Sequence, residues 1–90
     1  MSYSLFDKRG EVQYLGSIGG MNDLLDFVEK HRTSGPLKEF LDRGETRDMK
    51  GVIGEITALI PYCRNRGMKI MLVELKKGLA RSKGVAVISD

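Results

Sequence analysis

Met49-Lys50-Gly51-Val52-Ile53-Gly54-Glu55-Ile56-Thr57-Ala58-Leu59-Ile60-Pro61-Tyr62-Cys63 is the stretch that decides the fold class. Met49, Val52, Ile53, Ile56, Leu59, Ile60 and Cys63 recur at spacings of three and four without a fault, the signature of a helix with one apolar stripe. Thr46 or Asp48 is placed to start it. Pro61 removes a helical hydrogen bond and clashes with the carbonyl of Thr57, so the helix either ends near Ile60 or kinks there.

Downstream, Asn65-Arg66-Gly67 breaks the chain. Met68, Met71, Leu72, Leu75 and Leu79 then define a further helix running to about Lys83-Gly84. Ile70 and Val73 add apolar residues to a second side, which predicts a helix sandwiched between neighbours. Val85 to Ile88 is a short apolar run with strand propensity.

Upstream, Pro36 suits the first turn of a short helix carrying Leu37, Phe40 and Leu41, and Gly44 suits its end. Before it, Met21, Leu24, Leu25 and Val28 repeat helically, with Phe27 widening the stripe. Asn22 reads as the N-cap, with Asp23 and Asp26 in the first turn and Lys30, His31 and Arg32 at the opposite end of the dipole. Tyr3 to Phe6 and Val12 to Leu15 flank Asp7-Lys8-Arg9-Gly10, which reads as a β-hairpin with a turn closed by Gly10. An isolated hairpin is marginal, so Val85 to Ile88 is expected to join it.

The predicted class is therefore α+β: a small, mainly antiparallel three-stranded sheet, made of the N-terminal hairpin and the C-terminal strand, packed on about four helices in the order β-β-α-α-α-α-β. Ninety residues, 41% apolar and 30% charged, fit one globular domain over residues 1–90 with a modest core. There is no repeat, signal peptide or membrane-length apolar run. One cysteine and one histidine leave no disulfide framework and no metal cluster, and no motif for a cofactor is present. A cytoplasmic location is the expectation.

Charge is the clearest functional signal. Met1 to Cys63 hold 8 Lys/Arg against 10 Asp/Glu, whereas Arg64 to Lys83 hold 7 against Glu74 alone. Lys69, Lys76 and Lys83 recur every seven residues and so should line one helical side, with Lys77 and Arg81 near it. These five residues form the predicted binding face. A solvated helix surface accounts for the same pattern without function. No aromatic is interleaved, which argues against base stacking.

The remaining motifs carry less. Gly16-x-x-Gly19-Gly20 is neither a dinucleotide fingerprint nor a phosphate loop, and Asp23 and Asp26 follow it; a sharp strand-to-helix turn explains it. Lone His31 reads as a capping or solvated residue, and Cys63 as a small core hydrophobe, with a thiol activated by Arg64 and Arg66 as the alternative. Asp23, Asp26 and Glu29 read as a solvated helix side rather than a cation site. Asp90 lacks a second acid. Gly51, Gly54 and Ala58 form a flat strip that suggests close approach of another element of the same chain, or else self-association.

The function expected from these readings is a non-enzymatic interaction module that uses the basic helical face. Its partner is another protein or a second copy. The alternative is nucleic-acid binding through phosphate contacts from the same face. A small enzyme would need His31, Cys63 or Asp90 to converge on one pocket.

Overall fold

The computed structural model describes residues 2–32 and 34–90. Strand β1 (Ser2–Asp7) turns into β2 (Gly10–Ser17), and the chain passes directly into helix α1 (Ile18–His31). Helix α2 (Pro36–Arg43), a two-residue strand β3 (Glu45–Thr46), helix α3 (Met49–Leu59), helix α4 (Arg66–Arg81) and strand β4 (Ala86–Ser89) follow. The strands form one antiparallel sheet in the order β2-β1-β4-β3.

The mixed helix and strand class, the four helices and the antiparallel hairpin joined by the last strand are as the sequence reads. The sheet has four strands rather than three. Glu45-Thr46 carries no apolar signal and becomes a strand only by pairing with Val87 and Ala86, anchored by the Ile88 N–H donating to the Gly44 carbonyl at 2.7 Å.

Two boundaries also differ from expectation. Helix α1 is capped five residues earlier than expected: Ser17 rather than Asn22 is the N-cap, its Oγ accepting the Gly20 N–H at 3.2 Å. Asp23 and Asp26 are thus beyond the first turn. Helix α4 ends at Arg81, short of Lys83-Gly84, with Ser82 as its C-cap. Pro61 ends α3 rather than kinking it: the α-helix stops at Leu59 and Ile60–Tyr62 form one 3-10 turn. Asp48 caps α3 by accepting the Gly51 N–H, and Gly44 closes α2 in the left-handed region at φ 79°.

Leu5, Leu15 and Ala86 supply the sheet's contribution to the core. Onto them pack Leu24 and Val28 of α1, Leu37 and Phe40 of α2, Val52, Ile56 and Leu59 of α3, and Leu72, Leu75 and Leu79 of α4. Burying each such side chain contributes roughly 1.5–3 kcal/mol against the chain entropy lost on folding. Helix α4 lies against β2 and β1, and its other flank receives α3. Its approach to the sheet is closest at Gly78: a Cβ there would stand 2.7 Å from Leu5 Cδ2 and 2.9 Å from Gln13 Cβ.

Helix α4 is not enclosed on all sides, contrary to its apolar content. Ile70 is 56% exposed and Val73 half-buried, so its outer side faces solvent. The strip Gly51, Gly54, Ala58 does not mark a close approach within the chain either. Gly54 and Ala58 are exposed, a Cβ on Gly54 would meet nothing within 4 Å, and the space beside Gly51 is taken by the Asp48 cap.

The junction of α1, α2 and α3 is polar. Glu55 of α3 accepts the Leu37 N–H at 2.9 Å, satisfying a donor at the start of α2 that has no intrahelical partner. Its second oxygen lies 3.3 Å from Arg32 Nε, an ion pair without hydrogen-bond alignment. Gly35, at φ 120°, leaves room for this carboxylate, because a Cβ would stand 2.8 Å from Glu55 Oε1.

Candidate interaction surface

Helix α4 is a rigid carrier for the cations the sequence singles out. Asn65 Oδ1 accepts the Met68 N–H at 3.0 Å at its start, and the Ser82 hydroxyl donates to the Gly78 carbonyl at 2.9 Å at its end. Met71, Leu72, Leu75, Gly78 and Leu79 are buried, which fixes the rotation of the helix. At about 100° per residue, Lys69 and Lys76 share one flank, while Lys77 and Arg81 lie on the other side of the exposed arc. Lys83 lies past the Ser82 cap, so the seven-residue spacing is helical only from Lys69 to Lys76. The five predicted residues thus surround the exposed half of α4 and its end rather than forming one line.

Their environments differ. Arg81 folds back on the sheet: its Nη2 donates to the Val12 carbonyl at 2.9 Å and to Gln13 Oε1. Gln13 Nε2 in turn donates to Glu74 Oε2 at 2.8 Å, which ties β2 to α4. Lys77 Nζ lies 3.9 Å from Glu74 Oε1. Among the described residues, no carboxylate lies within 4.0 Å of Lys69, Lys76 or Lys83.

The hairpin turn adds two cations that the basic segment does not contain. The Asp7 side chain is fully covered and accepts the Arg9 N–H at 2.8 Å, Arg9 Nη2 at 2.9 Å and the Lys83 N–H at 3.0 Å. The Arg9 guanidinium and backbone bonds lead in holding this carboxyl down at about 2, with the Lys83 N–H adding to them against the opposing effect of burial. Arg9 Nη2 also donates to the Arg81 carbonyl at 2.9 Å, placing a positive charge at the negative end of α4. The aliphatic end of Lys8 lies over Gly84. Lys8, Arg9, Arg81 and Lys83 therefore gather at one end of the molecule. Sequence distance conceals this cluster, since the turn and the end of α4 are separated by most of the chain.

Two shallow hollows open on the surface. One, of about 600 Å³, lies between α2 and the β3 region, with Glu39, Arg43 and Glu45 among its walls. The other, of about 400 Å³, lies between the start of α3 and the end of α4, with Arg47 and Lys50 beside Met49, Ile53, Leu79 and Ala80. Neither is lined by His31, Cys63 or Asp90. Cys63 is in the core, its thiol donating to the Asn65 carbonyl at 3.4 Å. His31 is exposed, with its ring 4.7 Å from Phe27 and 5.7 Å from Tyr62 between centroids.

Asp23, Asp26 and Glu29 are exposed along α1, Glu29 lying 3.7 Å from Lys38 Nζ. Gly16 and Gly20 both pack on Met71 Cε, and a Cβ on Gly20 would stand 2.9 Å from it, so this turn serves close packing. Among the described residues no group of three or more His, Cys, Asp or Glu side chains could hold a metal ion, and no helix is long and apolar enough to cross a membrane. No family model, curated protein or solved structure matches the chain.

Proposed function

We propose that the protein is a non-enzymatic interaction module that docks an acidic surface of a partner protein against the cationic side of α4. The observation that carries this reading is the set Lys69, Lys76 and Lys83: three ammonium groups without a carboxylate within 4.0 Å among the described residues, mounted on and just after a helix whose rotation is fixed by its buried side. Charges already paired within a fold have little left to offer a partner; these retain their full field for steering an anionic surface. The absence of aromatic residues between Arg64 and Lys83 favours a protein over a single-stranded nucleic acid.

Charge reversal tests it. Lys69→Glu with Lys76→Glu, both away from the buried side of α4, should weaken binding of a poly-glutamate probe on the order of tenfold or more at low salt, with thermal stability nearly unchanged. Fluorescence anisotropy provides the readout. Unchanged affinity in the double variant would refute the reading. Preference for a DNA duplex over poly-glutamate, with affinity falling steeply with salt, would replace it by phosphate recognition.

A further inference from the structure

We propose that the groove between the first half of α3 and the end of α4 receives the apolar residues of an acidic, amphipathic peptide segment of the partner. The inference rests on the reading above and locates its specific part. The groove holds about 400 Å³, at the small end of the range for binding sites and suited to side chains rather than to a large cofactor. Its walls are apolar: Met49 and Ile53 on the α3 side, Leu79 and Ala80 on the α4 side.

Cations flank it. Arg47, just before the Asp48 cap of α3, and Lys50 in the first turn of that helix line it, and Lys76 lies one turn before Leu79 and Ala80 on α4, next to the groove rather than in its lining. Among the described residues none of these three has a carboxylate within 4.0 Å. The one acid in the groove, Asp48, is engaged as the N-cap of α3, with Oδ1 accepting the Gly51 N–H at 3.0 Å. The Ser82 hydroxyl is likewise engaged with Gly78.

An apolar trough flanked by unpaired cations is complementary to a segment with apolar residues on one side and carboxylates on the other, the helix-in-groove mode of recognition. A phosphodiester backbone would meet the rims but leave Met49, Ile53 and Ala80 without apolar contacts. A small contact of this kind gives a weak, transient complex.

The test is a titration of the isotope-labelled full chain followed by amide chemical shifts. The probe is a short synthetic helix of glutamates bearing leucines three and four positions apart. A second peptide has every leucine replaced by alanine, and a third probe is single-stranded DNA. The expected result is movement of the Arg47, Lys50, Ile53 and Ala80 amides with the leucine peptide only. Ala80→Glu, at an exposed helix position, should weaken that peptide on the order of tenfold while leaving the spectrum otherwise native.

Equal binding of both peptides, with shifts centred on Lys69 and Lys77, overturns the groove and leaves the cationic-surface reading standing. Binding of DNA alone overturns both. Groove amides that shift together with those of Asp23 and Asp26 on dilution of the free protein would make a second copy the occupant and overturn the proposal.

Discussion

Replacing Gly78 by alanine sets two effects of known size against each other. Alanine in a helix interior is favoured over glycine by about 1 kcal/mol. The new methyl, however, would stand 2.7 Å from Leu5 Cδ2 and 2.9 Å from Gln13 Cβ, where carbon atoms prefer about 3.5–4.0 Å. Leu5 is fully buried in the core, so its side chain can move only at the expense of its neighbours. Gln13 Cβ is bonded directly to the backbone of β2, so relief requires the strand to recede and strains the Gln13–Glu74 and Arg81–Val12 hydrogen bonds. Overpacking of this kind costs about 1–3 kcal/mol, leaving a net loss of about 0–2 kcal/mol. Gly54 is the control. It is an exposed interior position of α3 with nothing within 4 Å of a Cβ, so Gly54→Ala keeps the propensity gain and stabilises by about 0.5–1 kcal/mol. In a domain of this size 1 kcal/mol moves Tm by roughly 4–8 °C, so thermal melts followed by far-UV circular dichroism separate the two variants. A Gly78→Ala protein as stable as Gly54→Ala would refute the close helix–sheet approach.

Two further substitutions probe the polar junctions. Asp7 titrates near 2 when folded and near 3.8 when not, so its favourable contribution is complete above about pH 5 and is lost as pH falls through 2. Asp7→Asn should therefore flatten the decline in urea midpoint across that window; a decline as steep as in the parent protein would contradict the role of the Arg9–Asp7–Lys83 linkage. Glu55→Ala removes the acceptor for the Leu37 N–H and the counter-charge for Arg32, and is expected to lose about 1–3 kcal/mol by equilibrium unfolding, whereas an unchanged midpoint would mean that water substitutes fully for the carboxylate.

The elements most legible in the sequence are those whose signal is local. The stripe from Met49 to Leu59 and the pair Pro36 and Gly44 mark α3 and α2 because periodicity and end residues act within a turn or two. The start of α1 is hidden because Gly19 and Gly20 look like helix breakers, yet both are helical, and close packing against Met71 favours the small size of Gly20. Strand β3 is hidden because nothing in Glu45-Thr46 itself favours a strand; the preference comes from Ala86 and Val87. The candidate surface divides in the same way. A run of cations can be counted in the sequence, but whether each is free depends on distant residues. Arg81 is held by Val12 and Gln13, and the Lys83 backbone by Asp7. Arg47 and Lys50 join the surface only because α3 and α4 pack side by side, a juxtaposition with no trace in the local composition.

The strand order has a consequence for synthesis on the ribosome. The inner edge of β1 is completed by β4, so the hairpin made first waits with one row of backbone donors and acceptors open until Ala86–Ser89 have left the exit tunnel. Until then Leu5 lacks its cross-strand neighbour Ile88, and β3 has no strand to pair with. Vectorial folding of such a topology ends in a single late closure, and the nascent hairpin is the species most in need of protection from its copies on neighbouring ribosomes.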